Sequence, residues 1–486
     1  MNRIYAIYDD REMPSGAIRT ITGEKSFGSI IYRRQTLLDR IKSLLRREQG
    51  EKTFSIAGFQ VLEDAAFPVR IRDIPPRSAI IHIFSDSAVC DEGEFQILLR
   101  KTAYIRENYV VKCQDRPAAI LFYSAEEWER YMESTDGPTE LRKQALEFEE
   151  ISCDAFADLS ERDRFLQFIT SGFEARFFNS LSGDEHMVVK RSSNKKKIRE
   201  EHDFYYLLPD RMKYWFVQPY DYREEGDRAS YCMERMHMSD LAIRYVHGAI
   251  SLDEFERILR GLFRFLSERD RKEVSWEAYY EKKKALYITK LEQRILSLKE
   301  HADFPALEQM IRAGTGYAGI DEIIAAYEAA YDGRIGKARE RLEAAAGHGD
   351  LCFSNILYSP DSDLIRLIDP KGATREEDIY TDPYYDVAKL SHSVCGAYDF
   401  MNSGLYEIVM GEDLKLSLKV DGDLSSYIEV FKRLLEENHF DYSMTRLYEC
   451  SLFLSMLPLH MDRPQKVMAF ILNAIQILKE IQNTTE

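Results

Sequence analysis

Between Gly347 and Gly372 the chain reads Gly-His-Gly-Asp-Leu-Cys-Phe-Ser-Asn-Ile-Leu and then, from Leu367, Leu-Ile-Asp-Pro-Lys-Gly. Asp350, Asn355 and Asp369 are hard oxygen donors, the amide five residues after the first carboxylate and the second carboxylate fourteen residues after the amide. An amide oxygen and a carboxylate on neighbouring loops suit a magnesium ion, which takes oxygen ligands in near-octahedral geometry. A carboxylate outside that pair suits a hydroxyl group, from which it accepts a hydrogen bond and, late in a reaction, a proton. His-Gly-Asp alone is a common turn, so the weight rests on the spacing and on the segments that accompany it.

Four such segments follow a fixed order. Val188-Val189-Lys190 closes an expected strand. The helix containing Ile198-Arg-Glu-Glu-His-Asp-Phe-Tyr-Tyr-Leu-Leu208 brings Glu200 and Glu201 about eleven residues later. Tyr231-Cys-Met-Glu-Arg-Met236 is an apolar strand that turns polar, and Thr381-Asp-Pro-Tyr-Tyr-Asp-Val-Ala-Lys-Leu390 follows the metal-type aspartate. Together with the His-Gly-Asp motif, this series resembles the aminoglycoside phosphotransferase and choline kinase families, which share the protein-kinase-like fold, over residues 165 to 486. The resemblance implies ATP and Mg²⁺ as cofactors, with Asn355 and Asp369 on the metal and Asp350 orienting the attacking hydroxyl. It places Lys190 on the ATP phosphates, held by Glu200 or Glu201. Glu201 is favoured because it lies nearer the Leu207/Leu208 core face. Backbone groups from Glu234 to Met236 would face adenine, His348 would brace the loop, and Asp386 would anchor it. Ser171 to Gly183, where phosphates would be covered, has no Gly-x-Gly-x-x-Gly, and Lys195 to Lys197 reads as a solvated helix start.

Asp386 arrives seventeen residues after Asp369, and no Ala-Pro-Glu anchor of protein kinases follows. A peptide acceptor is therefore disfavoured and a small-molecule acceptor expected, held among helices between Leu252 and Ala345 and the C-terminal helices. Trp276, Tyr279, Tyr280, Tyr384 and Tyr385 are candidate lining residues, suited equally to stacking a sugar or boxing a choline-like cation.

The elements that must position these groups are legible from periodicity. An α/β domain is expected over residues 1–150, with strands at Arg3–Ile7, Ala79–Phe84, Tyr109–Lys112 and Ala118–Tyr123 and amphipathic helices at Thr36–Arg46 and Glu94–Ile105. A small β-rich lobe follows over 151–240, with strands at Phe173–Leu181, Met187–Lys190, Trp215–Gln218 and Tyr231–Met236 around one helix, Lys195–Leu208. A helical lobe fills 241–486, with helices at Leu241–Tyr245, Leu252–Ser267, Tyr279–Leu298 and Ile324–Ala345 and a last one opened by Pro464. The expected fold is thus an α/β domain followed by a protein-kinase-like α+β bilobal domain. The first domain is only loosely similar to sugar-nucleotidyltransferase or glycosyltransferase sheets. It lacks a Gly-x-Gly-x-Arg loop, and Asp86 and Asp91 read as solvated loop residues sooner than as metal ligands.

Composition sets the outer limits. The chain has 486 residues, 45% hydrophobic and 31% charged, with a formal charge of −17, which disfavours nucleic acid and anionic membrane surfaces as partners. Its seven cysteines are scattered without a Cys-x-x-Cys, and no apolar run reaches the roughly 20 residues of a membrane span. A soluble, cytoplasmic protein without membrane insertion is expected, and a homo-oligomer is compatible with the sequence. The leading reading is phosphorylation of a hydroxyl on a sugar or amino alcohol of surface or capsular polysaccharide biosynthesis. Its alternatives are a bifunctional enzyme with an N-terminal nucleotidyl- or glycosyltransferase, and a kinase-shaped scaffold that binds nucleotide without turnover.

Overall fold

The computed structural model describes residues 2–47, 54–63, 74–171, 179–184, 186–335 and 342–483. The chain divides into two units, Met1–Glu174 with His247–Ala249, and Ala175–Val246 with Ile250–Glu486.

Ala79–Phe84 is apolar apart from His82 because both faces of that strand are covered, and all six residues are buried. It lies inside a six-stranded sheet ordered Phe54–Leu62, Asn2–Asp9, Ala79–Phe84, Arg116–Phe122, Tyr109–Cys113, Glu149–Glu150. Asn2–Asp9 runs parallel to both its neighbours, and Arg116–Phe122 is antiparallel to both of its own. On one face Ile4, Ala6, Ile81 and Ile83 pack with Ile41, Leu44 and Leu45 of helix Leu37–Arg47 and with Phe95, Leu98 and Leu99 of helix Glu92–Thr102. On the other, Ile7, Ile80, Phe84 and Ile120 meet Trp128 and Met132 of helix Ala125–Glu133 and Leu141 of helix Pro138–Ala145. The unit extends to Glu174 rather than ending near 150, because Phe156–Asp158 pairs with Ser87–Val89 and carries the chain into helix Arg162–Ser171.

The second unit opens with a four-stranded antiparallel sheet ordered Asn179–Gly183, Met187–Ser192, Arg228–Glu234, Pro219–Glu225, with helix Lys195–Leu207 packed on it through Ile198, Ala229 and Tyr231. Two large cores then enclose the helical body. One joins helices Leu252–Glu268 and Ser425–Glu437 to the strands beside the His-Gly-Asp loop, and the other surrounds helices Tyr442–Met456 and Pro464–Asn483. In this unit a small antiparallel sheet with one helix packed on it is followed by a larger helical part.

Three expected elements differ. Trp215–Gln218 is no strand of that sheet. Helix Asp210–Lys213 precedes it, and Phe216 forms a lone parallel bridge to Leu367. Helix Ile320–Arg334 stops before the alanines, and Glu343–Ala346 is a strand between Arg271–Glu273 and Tyr380–Thr381, so sheet pairing overrides alanine's helix propensity. The Tyr279–Leu298 pattern is helix Trp276–Lys284, a π-turn at Ala285–Thr289, and helix Lys290–Lys299. Of the expected strand Phe173–Leu181, residues 173–178 lie outside the described residues.

Candidate active site

Lys190 sits on strand Met187–Ser192 and is buried, with its ammonium 2.8 Å from Glu201 Oε2 and 2.7 Å from Asp369 Oδ1. Burial works against the ammonium, and the two carboxylates outweigh it, raising the lysine's pKa. Glu201 faces inward from the adjacent helix and is 2% exposed, whereas Glu200 points outward with Lys196 3.7 Å away. Glu201 is therefore the lysine's partner, and the Tyr231 hydroxyl donates to its Oε2 at 3.2 Å. Lys197 reaches Glu201 Oε1 at 3.4 Å, while Lys195 and Lys196 stay at the surface as expected.

The strand Arg228–Glu234 ends at the expected hinge. Glu234 still pairs with Met187 in the ladder, and Arg235 donates its N–H to the His186 carbonyl at 2.9 Å. Met236 takes part in no backbone hydrogen bond among the described residues, so its N–H and carbonyl are the free main-chain groups of this segment.

Asp386, fully buried at the start of helix Tyr384–Val394, holds the His-Gly-Asp loop. Its carboxylate accepts the His348 N–H at 2.9 Å, the Gly349 N–H at 2.8 Å and the Arg269 guanidinium at 3.1 Å. The His348 ring donates from Nε2 to the Ile368 carbonyl at 2.9 Å and accepts the Asp350 N–H at Nδ1 at 3.1 Å, which fixes one neutral tautomer. Burial lowers its pKa in the same sense. Through this ring the loop bearing Asp350 is tied to the residue before Asp369.

Asn355 donates its amide nitrogen to the Asp350 carbonyl at 2.9 Å and to Asp350 Oδ2 at 3.3 Å, which leaves its side-chain oxygen for a cation. The Ile368 N–H donates to the Asn355 carbonyl at 3.0 Å, linking the two expected metal ligands through the backbone. Asp369 itself adopts a left-handed backbone, φ 55°, a conformation aspartate tolerates and one that clusters at functional sites. Gly372, at φ 89°, lies against helix Lys195–Leu207. A Cβ there would stand 2.6 Å from Glu200 C and 2.7 Å from Glu201 N, and the next residue, Ala373, donates to the Glu200 carbonyl at 2.9 Å. Only glycine lets the segment after Asp369 approach the helix that carries Glu201.

One residue central to this geometry escaped sequence reasoning. Lys389, on the helix of Asp386, places its ammonium 2.8 Å from Asp350 Oδ1. Burial around Asp350 would raise its pKa, but the Lys389 ammonium overrides it and holds the carboxyl at about 2. Lys389 lies one helical turn beyond Asp386, and that i, i+3 spacing was the available signal. Of the aromatic candidates, Tyr385 lines a cavity of about 170 Å³ beside the loop, together with His348, Gly349 and Lys371. Trp276 is exposed against Tyr280, and Tyr279 is buried; Tyr384 packs on Phe440 and Tyr448, so these four are not in its wall.

In the first unit, Asp86 is no solvated loop residue. It is buried and ion-paired with Arg116 and Arg142, and Asp91 caps helix Glu92–Thr102 through the Glu94 N–H at 2.9 Å. Among the described residues no group of three or more His, Cys, Asp or Glu side chains is placed to hold a metal ion. All seven cysteines are free thiols, and no helix among the described residues is long and apolar enough to cross a membrane.

No family model and no curated protein matches the sequence. Among solved structures the chain is similar to aminoglycoside phosphotransferase APH(4)-Ia, with 11% identity over 64% of this chain and 97% of that one and a TM-score of 0.36. It is similar to APH(2")-IIa, solved as a ternary complex with streptomycin and ATP, with 14% identity over 64% of this chain and 90% of that one and a TM-score of 0.33. A candidate fructosamine-3-kinase from Haemophilus somnus 129PT has 13% identity over 65% of this chain and 96% of that one, with a TM-score of 0.36.

Proposed function

We propose that the second unit is a phosphotransferase that moves the terminal phosphoryl group of Mg·ATP to a hydroxyl of a small metabolite, a sugar or amino alcohol of the kind used in surface polysaccharide assembly. The observation that carries this reading is the meeting of Lys190 and Asp369, 179 residues apart in sequence and 2.7 Å apart in space, beside an Asn355–Asp350 hydrogen bond. The donor set fits magnesium: a free amide oxygen on Asn355 and a carboxylate on Asp369 that is 39% exposed. Bound Mg·ATP would supply the electrophilic phosphorus and neutralise the charge of the leaving diphosphate.

The chain's own groups then have separate tasks. Lys190, steadied by Glu201, exchanges its contact with Asp369 for phosphate oxygens. Asp350, fixed through its backbone by His348 and through its carboxylate by Lys389 and Asn355, accepts the hydrogen bond of the incoming hydroxyl and aims its oxygen. A carboxyl held at about 2 retains a proton only weakly at neutral pH, so orientation outweighs proton storage in its role. The free Met236 main-chain groups suit the adenine edge. A second activity in the first unit is disfavoured, since the guanidiniums of Arg116 and Arg142 occupy the carboxylate that would hold a metal there. A silent scaffold would have no use for all of Lys190, Asp350, Asn355 and Asp369 in this geometry.

The test is a screen of sugars, sugar acids, aminoglycosides and amino alcohols for acceptor-dependent ATP consumption, with Asp350→Ala as the blank. Turnover by wild type alone supports the reading. Equal turnover by the variant overturns it.

A further inference from the structure

The cavity beside the catalytic loop has a sign of charge. Its wall includes Lys282, Lys371, Asp378, Thr381 and Tyr385, and the π-turn at Ala285–Thr289 contributes Ala285 and Leu286. π-turns often mark functional positions, and this one bulges the helix where it faces the cavity. Lys282 Nζ donates to the Tyr380 carbonyl at 2.5 Å, and neither Lys282 nor Lys371 has a carboxylate partner among the described residues. The stem of Lys371 is laid across Gly349, where a Cβ would stand 2.6 Å from Lys371 Cβ, and its N–H donates to the His348 carbonyl at 2.9 Å. The lysine is thus fixed to the residue immediately before Asp350.

The one carboxylate in the wall, Asp378, is spent on a two-point pair with Arg375 at 2.8 and 2.9 Å. The Tyr385 hydroxyl accepts from Lys290 Nζ at 3.0 Å. Burial raises that phenol's pKa, but the Lys290 and Lys389 ammoniums overcome it and bring the pKa below the ordinary value. Like charge has a cost at Lys282 too. Burial, with the Lys371 ammonium nearby, lowers its pKa although Asp378 and Asp382 oppose the shift. Lys282 and Lys371 both line this cavity, and with its one wall carboxylate paired to Arg375 an anionic group there would be attracted by both. The cavity of about 170 Å³ has room for such a group, since a single water needs only ~10–15 Å³ on the same measure.

We propose that this cavity binds a phosphate or carboxylate group carried by the acceptor, so that the substrate is an acidic sugar or sugar phosphate and not an amino alcohol or aminoglycoside. The assignment rests on the phosphotransferase reading and narrows its substrate class. A cationic acceptor would meet Lys282 and Lys371 with no free carboxylate to receive it.

The test is titration calorimetry on the full-length protein with inorganic phosphate, a hexose 6-phosphate, the free hexose and the hexosamine, for wild type, Lys282→Met and Lys282→Arg. Mg·ATP is titrated in parallel. The expected result is saturable binding of the hexose phosphate, tighter than inorganic phosphate and far tighter than hexose or hexosamine. Lys282→Met should weaken it roughly ten- to hundredfold, as loss of a charge-assisted hydrogen bond does, and Lys282→Arg should restore most of it. Absence of phosphate binding, indifference to Lys282→Met, or preference for the hexosamine overturns the proposal. Inorganic phosphate binding as tightly as the hexose phosphate identifies a free-ion site and overturns the acceptor assignment. Failure of wild type to bind Mg·ATP strikes the phosphotransferase reading instead, and the anion titration still decides the cavity.

Discussion

Replacing Lys389 by methionine keeps the buried stem and removes the ammonium 2.8 Å from Asp350 Oδ1. A charge-assisted hydrogen bond is worth ~1.5–3 kcal/mol, or ~1–2 pKa units. Because 43% of the Asp350 side chain reaches solvent, screening brings the loss toward the lower end. The carboxyl would then rise from its value of about 2 by that amount. The sign for catalysis follows, since only the ionised carboxylate accepts the hydroxyl's hydrogen bond. Wild type keeps Asp350 ionised down to well below pH 4, whereas the acid limb of Lys389→Met moves up by the same ~1–2 pH units. For folding, a pKa below the ordinary 3.8 means that the pair contributes stability above that pH, and the contribution is lost as pH falls toward about 2. The assay is kcat/KM for ATP turnover from pH 3 to 9 in wild type, Lys389→Met and Lys389→Arg. A new acid limb, kcat lowered roughly tenfold, unchanged KM for ATP and recovery by arginine are expected. Superimposable pH profiles for wild type and Lys389→Met would refute the role assigned to the ion pair.

Glu201→Gln should raise KM for ATP more than it lowers kcat, because Lys190 loses the partner that steadies it, and steady-state kinetics with varied ATP reads this. Asp386→Ala should cost ~3–5 kcal/mol of stability in denaturant titration, since it strands the fully buried Arg269 guanidinium and releases two loop N–H groups. The double replacement Arg269→Met/Asp386→Leu should cost less stability than the single one and still abolish turnover. In the first unit, Asp86→Asn should leave ATP turnover and Mg²⁺ affinity unchanged while lowering the melting temperature, because its partners there are Arg116 and Arg142; lost metal binding would contradict that assignment.

Local chemistry with a fixed spacing was legible in the sequence. Asp350, Asn355 and Asp369 share one short stretch, and the resemblance it carries pointed to the strand-end Lys190 and to a glutamate on the helix of Ile198 to Leu208. The choice between Glu200 and Glu201 required the helix's rotation against the sheet, which only packing fixes. Ala344 to Ala346 misled because alanine favours helices, whereas the pairing that makes them a strand comes from Arg271–Glu273 and Tyr380–Thr381, distant in sequence. Phe54–Leu62 went unread because its alternation is broken by Gly58 and Gln60. Asp86 was read as solvated because the guanidiniums that bury it arrive from residues 116 and 142. Lys389 was passed over for the same reason, as a helix lysine gains meaning only when the loop it faces is known.

The most direct test of the central claim is Mg·ATP binding and turnover measured side by side in wild type, Asp350→Ala and Asp369→Ala. The account predicts that Asp369→Ala loses Mg²⁺-dependent nucleotide affinity, while Asp350→Ala binds Mg·ATP nearly as wild type does and transfers no phosphate. Equal loss of nucleotide affinity in both variants, or undiminished turnover in Asp350→Ala, would contradict it.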